Sequence, residues 1–118
     1  MKNIERVGYL AKLLKTHNVT VLATFITPYR SMRQMLRDHL DDFVEIHVVA
    51  PLEICEQRDV KGLYQKARAG EIQEFTGISD PYEEPQSPDI KIETHKYTIE
   101  NCIDQIMDYL KKEGFMEF

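Results

Sequence analysis

The chain has 118 residues, enough for one domain with a real hydrophobic core. Apolar residues make up 42% of it and the formal net charge is −5, so the composition is globular and argues against a protein that binds duplex nucleic acid. No apolar run reaches the roughly 18 residues of a membrane span, and charged residues interrupt the N-terminal stretch where a signal peptide needs an apolar core, which predicts a cytoplasmic protein.

The beginning of the chain predicts a helix followed by a strand. Apolar residues fall at helical spacing over residues 3–15. The run V-T-V-L-A-T-F-I, residues 19–26, is apolar and rich in β-branched residues, which is typical of a strand covered on both faces in a parallel sheet. Pro28 cannot donate to a strand ladder, so Thr27 is expected at the carboxyl end of that strand, where open α/β sheets bind their ligands.

A second helix and a second strand are predicted next. Residues 31–40 have helical periodicity, and three arginines at successive turns share one face of it: Arg30, Arg33 and Arg37. Such a row can face a polyanion, although a solvated face is the commoner outcome. The run F-V-E-I-H-V-V-A, residues 43–50, predicts another buried strand.

Residues 58–78 form a basic segment that we call the lid. It carries three of the five glycines in the chain and four basic residues, which are Arg58, Lys61, Lys66 and Arg68. A cationic segment with glycine hinges, beside a sheet edge, predicts a mobile flap that closes over phosphate groups and excludes water. The alternative is an ordinary solvated surface helix.

Short elements are predicted on both sides of the lid. Residues 52–58 predict a helix before it, and residues 79–89 form a loop with three prolines and four acidic residues after it. Residues 90–93 alternate and predict a strand. Thr98 is placed to cap a final helix that has a continuous apolar stripe.

The alternation of helices and strands predicts a single α/β domain over residues 1–118, with parallel strands and flanking helices. The two cysteines, Cys55 and Cys102, have no C-x-x-C spacing and are expected to be buried thiols rather than a disulfide or a metal site. The sequence therefore predicts no metal-ligating residues in this chain.

Four stretches of the chain match a known family. They are N-I-E-R-V, F-I-T-P-Y-R, the long block A-P-L-E-I-C-E-Q-R-D-V-K-G-L-Y-Q-K-A-R-A-G-E-I-Q-E-F-T-G-I, and D-P-Y-E-E-P. Together they span nearly the whole chain and resemble adenylyl-sulfate kinase, a P-loop kinase that uses ATP to phosphorylate the 3′-hydroxyl of adenosine 5′-phosphosulfate (APS). The resemblance implies a P-loop-kinase-like parallel sheet with flanking helices and a lid.

The resemblance also implies roles for individual residues. Thr27 stands where the family has an active-site serine that becomes phosphorylated; it keeps the hydroxyl and adds a methyl group. The positions implied to bind APS are Asn3, Arg6, Ile26, Thr27, Lys61 and Phe75, the last by stacking on adenine. The positions implied near the ATP adenine are Arg58, Tyr97 and Cys102. Lys66 and Arg68 on the lid would neutralise phosphate charge.

Two motifs of the family do not occur in these 118 residues: G-x-x-x-x-G-K-[ST] and D-G-D-N-x-R. The phosphate cradle and most ligands of the implied ATP and Mg²⁺ are therefore expected outside the chain. The resemblance predicts a truncated fold without the P-loop strand and the first helix. Since that strand separates the two predicted strands in the family, either residues 19–26 pair directly with residues 43–50, another chain fills the gap, or the protein aggregates.

Three interpretations follow from the sequence. In the first, the chain is a partial adenylyl-sulfate kinase, inactive alone, with APS and ATP or ADP as ligands and a homodimer or a complementing N-terminal fragment as partner. In the second, it is a non-catalytic module that binds a nucleotide or an intact kinase. In the third, it belongs to a kinase with a different nucleotide acceptor, because Glu5 and Thr27 depart from the family at the acceptor site.

Overall fold

The computed structural model describes residues 2–116, which divide into two compact units. Unit 1 consists of residues 2–43 together with Tyr82–Glu84, and unit 2 consists of Val44–Pro81 and residues 85–116. None of the helices in residues 2–116 combines the length and the apolar character needed to cross a bilayer.

Unit 1 is built on two packed helices. They are α1 (Lys2–Thr16) and α2 (Arg30–His39). Ile4 and Gly8 of α1 and Met32 of α2 are buried. Gly8 permits a close approach of the two helices, because a Cβ at this position would stand 3.0 Å from Cδ2 of Leu36. The predicted helices over residues 3–15 and 31–40 are thus confirmed to within one residue at each end.

The strand predicted for residues 19–26 is not formed. After α1 ends, Asn18 has φ 59° and the backbone N–H of Val19 donates to the carbonyl of Leu14 at 3.2 Å. Residues 20–26 then lie in no helix or strand, and the exposed fraction reaches 87% at Leu22 and 69% at Ile26. The prediction of a buried strand at residues 19–26 is therefore wrong. Of the three outcomes expected for the gap, direct pairing with residues 43–50 is not found among the described residues. Strand propensity alone does not form a strand, and the described residues of unit 1 contain no strand with which this segment could pair.

Unit 2 contains a parallel β pair and three helices. Its elements are β1 (Ile46–Val49), α3 (Leu52–Arg58), α4 (Leu63–Arg68), β2 (Ile90–Glu93) and α5 (Ile99–Lys112). The register sets Ile46 opposite Ile90 and Val49 opposite Glu93. The predicted strand at 90–93 and the predicted helix at 52–58 are confirmed at the same residues. β1 is shorter than the predicted run 43–50, because pairing with the four-residue β2 limits the ladder.

The core of unit 2 lies between β2 and α5. Ile92 is 2% exposed and contacts the same buried cluster as Ile90 and Cys102. The cap predicted for α5 is confirmed, since the hydroxyl of Thr98 accepts a hydrogen bond from the backbone N–H of Asn101 at 3.2 Å. The predicted buried thiol of Cys102 is confirmed, while Cys55 is half-buried and also free.

Candidate functional site

The turn T-P-Y-R, residues 27–30, is fastened to a segment more than fifty residues further along the chain. We call it the TPYR turn. The backbone N–H of Arg30 donates to Oε1 of Glu83 at 2.8 Å, and Nε of Arg30 donates to the carbonyl of Glu84 at 3.1 Å. In return, the backbone N–H of Glu83 donates to the carbonyl of Pro28 at 2.8 Å. The turn that carries Thr27 is thus fixed from both its ends within unit 1.

Arg33 completes this attachment from inside unit 1. Its side chain is buried, at 6% exposure, and it donates from Nη1 to the carbonyl of Thr27 and from Nη2 to the carbonyl of Glu83. The guanidinium also lies 5.9 Å from the ring centroid of Tyr82. A buried guanidinium needs hydrogen-bond acceptors, and its planar fork reaches two carbonyls at once. Sequence analysis gave Arg33 no role of its own, because periodicity alone does not identify contacts so distant in sequence.

The row of three arginines on α2 is therefore solvated only in part, since Arg30 is exposed, Arg37 is half-buried and Arg33 is buried. Arg37 contacts Phe43, with 5.3 Å between its guanidinium carbon and the ring centroid, while Arg30 and Arg33 bind the segment Tyr82–Glu84. The sequence-based expectation of a solvated row is wrong at Arg33. All three arginines have intramolecular partners, and these include backbone carbonyls and aromatic rings.

The implied acceptor residues of unit 1 differ in exposure. Asn3 and Arg6 lie exposed on α1, and Arg6 shares a shallow depression with Glu5. Ile26 is exposed at the end of the segment 20–26, which lies in no strand. Thr27 is half-buried, and its carbonyl accepts a hydrogen bond from Nη1 of the Arg33 side chain. The roles implied for all four residues remain predictions.

The lid contains one short, well-capped helix. Both carboxylate oxygens of Asp59 accept hydrogen bonds from the first turn of α4, from the N–H of Tyr64 at 3.0 Å and from that of Gln65 at 3.1 Å. Gly62, with φ 66°, makes the left-handed turn that leads into α4 and that other residues adopt only with strain. Asp59 is a second residue that the sequence analysis missed; its position before the helix start was the available signal.

The basic residues of the lid fall into two pairs. The arginines have intramolecular partners: Arg58 donates to Oγ1 and the carbonyl of Thr94 at 2.9 and 3.2 Å, and Arg68 donates to Oε1 of Glu56 at 2.6 Å. That carboxylate raises the pKa of Arg68. Within residues 2–116, Lys61 and Lys66 are exposed and enter no ion pair. The lysines are therefore the cations that this lid has free for an anion.

Phe75 is half-buried in the lid against another aromatic residue. Its ring centroid is 5.0 Å from that of Tyr64, with an interplanar angle of 77°. Desolvation by burial, followed by the neighbouring Cys55, raises the pKa of Tyr64 above its ordinary value. The backbone N–H of Phe75 donates to Oγ of Ser79 at 2.7 Å, which fixes the backbone that carries the ring.

The remaining predicted nucleotide contacts lie around α5. Tyr97 is 48% exposed just before the helix, whereas Cys102 is buried in the core beside Ile90 and Ile92. Among the described residues, no three histidine, cysteine, aspartate or glutamate side chains lie together as a metal site requires.

The architecture of unit 2, a parallel β pair with helices on it and a glycine-hinged basic lid, defines an α/β protein. The family model described as adenylylsulphate kinase matches residues 1–93. The chain belongs to the adenylylsulphate kinase family, and the fold class expected from the resemblance is confirmed.

Similar proteins support the same conclusion. The chain is 51% identical over 115 residues to an adenylyl-sulfate kinase of Halothermothrix orenii, covering 98% of this chain and 62% of that protein. It is 49% identical over 116 residues to one of Synechococcus sp., covering 98% and 66% respectively. The solved APS kinase of Mycobacterium tuberculosis in complex with AMPPNP and APS matches with a TM-score of 0.82 and 38% identity, over 93% of this chain and 65% of that one. The chain thus spans about two thirds of the length of these relatives.

Proposed function

We propose that this chain supplies the acceptor-binding and lid parts of an adenylyl-sulfate kinase, which transfers a phosphoryl group from ATP to the 3′-hydroxyl of APS. The observation that carries the proposal is the ordered lid. Asp59 holds α4 in place, while Lys61 and Lys66 remain exposed. Family membership gives the reaction, and the lid gives the chain a cationic surface suited to it.

The chemistry of phosphoryl transfer explains why these parts matter. The transition state carries spread negative charge, so catalysis depends on charge neutralisation and exclusion of water more than on covalent help from the protein. In this proposal Lys61 and Lys66 provide positive charge, and Phe75 provides a flat surface for the adenine of APS. Thr27 presents a hydroxyl on a turn whose backbone is fixed by Arg33.

The phosphate cradle for ATP is proposed to come from residues other than these 118. The chain has no G-x-x-x-x-G-K-[ST] motif to wrap backbone N–H groups around a triphosphate, and its described residues hold no carboxylate cluster for Mg²⁺. When bound, Mg²⁺ neutralises the charge on the transferred phosphoryl group. The chain alone is therefore expected to bind APS and not to phosphorylate it.

Titration calorimetry with APS tests the binding half of this proposal. The purified chain should bind APS saturably, and Phe75→Ala should weaken binding about tenfold, in line with about 1–3 kcal/mol for stacking of a base on an aromatic ring. Phe115→Ala is the matched control, because Phe115 is 40% exposed beyond α5, and its APS affinity should be unchanged. An unaltered chain that fails to bind APS at millimolar concentration would overturn the proposal.

A coupled assay tests the catalytic half. ATP-dependent formation of the 3′-phosphorylated product by the purified chain would show that these residues suffice, against our expectation. A polypeptide carrying the family's phosphate-binding loop, added in excess, is expected to restore turnover. Lys61→Ala should then reduce that turnover, whereas Lys12→Ala on α1 is the control of equal charge change.

A second candidate is a non-catalytic module that binds a protein partner. The exposed apolar segment at residues 20–26 favours it, since Leu22 and Ile26 stand largely in solvent. Calorimetry separates the candidates: a partner-binding module has no need of APS affinity, and Phe75→Ala would then have no effect on any ligand titration.

A further inference from the structure

We propose that Arg33 is a positioning residue for the acceptor site: it holds the TPYR turn to the segment Tyr82–Glu84 and thereby sets the position of Thr27. The inference rests on the proposed function, because its expected consequence is a change in APS binding. It goes beyond the proposed function because it assigns a role to a residue that need not touch any ligand. It also gives the buried guanidinium a function other than neutralising substrate charge.

The inference rests on the geometry of the fork, by which we mean the two hydrogen-bond donors Nη1 and Nη2 of the Arg33 guanidinium. Arg33 is 6% exposed and donates to two main-chain carbonyls, those of Thr27 and Glu83, which are separated by more than fifty residues in sequence. Main-chain acceptors fix the backbone itself, so the side chain of Thr27 starts from a fixed Cα. A lysine in this place would carry the same charge but no planar pair of donors.

Further hydrogen bonds within unit 1 support those of Arg33. Glu83 also donates its N–H to the carbonyl of Pro28, and its side chain accepts from the N–H of Arg30. The TPYR turn and the segment Tyr82–Glu84 are therefore joined by several hydrogen bonds around Arg33.

Substitutions of Arg33 distinguish positioning from direct contact with an anion. If the guanidinium acts through its fork, Arg33→Lys and Arg33→Gln should both raise the APS dissociation constant by about tenfold, the effect of losing a charged hydrogen bond. If the charge itself contacts APS, Arg33→Lys should retain most of the affinity, and that result overturns the proposal. Arg37→Lys and Arg37→Gln are the matched controls on the same helix and should stay within about twofold.

Amide hydrogen exchange provides a readout that does not depend on APS. In Arg33→Gln the N–H groups of Arg30 and Glu83 should exchange at least about tenfold faster, while those of β2 keep the protection of the unaltered chain. Unchanged exchange at Arg30 and Glu83 overturns the proposal, as does a loss of protection spread over the whole chain, which indicates a role in global folding.

Two further outcomes complete the test. If Arg33→Gln does not fold, Tyr82→Leu removes the aromatic ring beside the guanidinium, together with its hydroxyl, and should raise the APS dissociation constant about threefold. No change in that constant counts against the proposal. If the unaltered chain binds no APS, the proposed function fails. The hydrogen-exchange measurement then still tests whether Arg33 holds the TPYR turn to the segment Tyr82–Glu84.

Discussion

Two apolar runs of equal length have different fates in this chain. Residues 19–26 and residues 43–50 are both rich in β-branched and apolar residues. The second contains β1, which pairs in parallel with β2. The first lies in no strand, and Leu22 within it is 87% exposed. The difference lies in what surrounds each run, since their compositions are alike.

The comparison teaches that a strand is a property of a pair. β1 has β2 beside it, and β2 in turn packs on α5, so backbone groups and side chains are satisfied together. The described part of unit 1 contains no strand that could pair with residues 20–26, and a helix cannot complete a ladder of backbone hydrogen bonds. The two units are correspondingly stabilised in different ways, unit 2 by a β–α core and unit 1 by helix packing and arginine hydrogen bonds.

The largest expected effect is in the core of unit 2. Ile92→Ala should lower the free energy of unfolding by about 2–5 kcal/mol, because it removes methyl and methylene groups from a side chain that is 2% exposed. Urea denaturation followed by circular dichroism measures the change. Ile99→Ala is the matched control: Ile99 is 75% exposed on α5, and the change should stay within about 0.5 kcal/mol. Equal losses in the two variants would contradict the placement of the core.

The next effect tests the helix packing of unit 1. Gly8→Val should cost about 1–3 kcal/mol, because the added atoms meet Leu36, whose Cδ2 lies 3.0 Å from where a Cβ would stand. Valine has a higher helix propensity than glycine, so propensity alone would stabilise α1 and a loss of stability reports the contact with Leu36. Combining Gly8→Val with Leu36→Ala should recover part of the loss in the same denaturation experiment; a double variant with purely additive losses would argue against this contact.

A smaller effect is expected at the helix ends. Thr98→Ala removes the hydroxyl that accepts from the N–H of Asn101 and should cost about 1 kcal/mol of unfolding free energy. Thr16 provides the comparison in unit 1, because its hydroxyl donates to the carbonyl of Leu13 at the end of α1. A threonine hydroxyl that bonds back to a carbonyl of the preceding turn adds little helix stability, so Thr16→Ala should cost less than half as much. Thermal melting of the two variants side by side decides whether the cap at Thr98 is the stronger one.

The smallest effect on stability is expected in the unpaired segment. Leu22→Ser should change the unfolding free energy by less than about 0.5 kcal/mol, because the side chain is already 87% exposed. The same substitution should reduce self-association, which size-exclusion chromatography at several protein concentrations detects, since an unpaired apolar segment promotes contact between chains. A destabilisation above about 1 kcal/mol would mean that Leu22 is buried in solution.

Several features of the fold and site were fixed by the amino-acid sequence itself. Helical periodicity placed α1, α2, α3 and α5 to within about two residues, alternation placed β2, and Thr98 marked the start of the last helix. The basic lid with its glycines was also evident from composition. These features depend on neighbours a few residues away along the chain, which is why local pattern suffices to locate them.

Tertiary structure alone decided the rest. Whether residues 19–26 form a strand depends on a neighbouring strand that completes the hydrogen-bond ladder. The hydrophobic pattern does not tell which segment that neighbour is. Arg33 is buried and links Thr27 to Glu83. Arg58 donates to Thr94, and Arg68 donates to Glu56. Burial and acceptors distant in sequence determine which contacts a charged side chain makes. The pairing of residues far apart in sequence is set by the packed chain, and so it lies beyond any reading of local spacing.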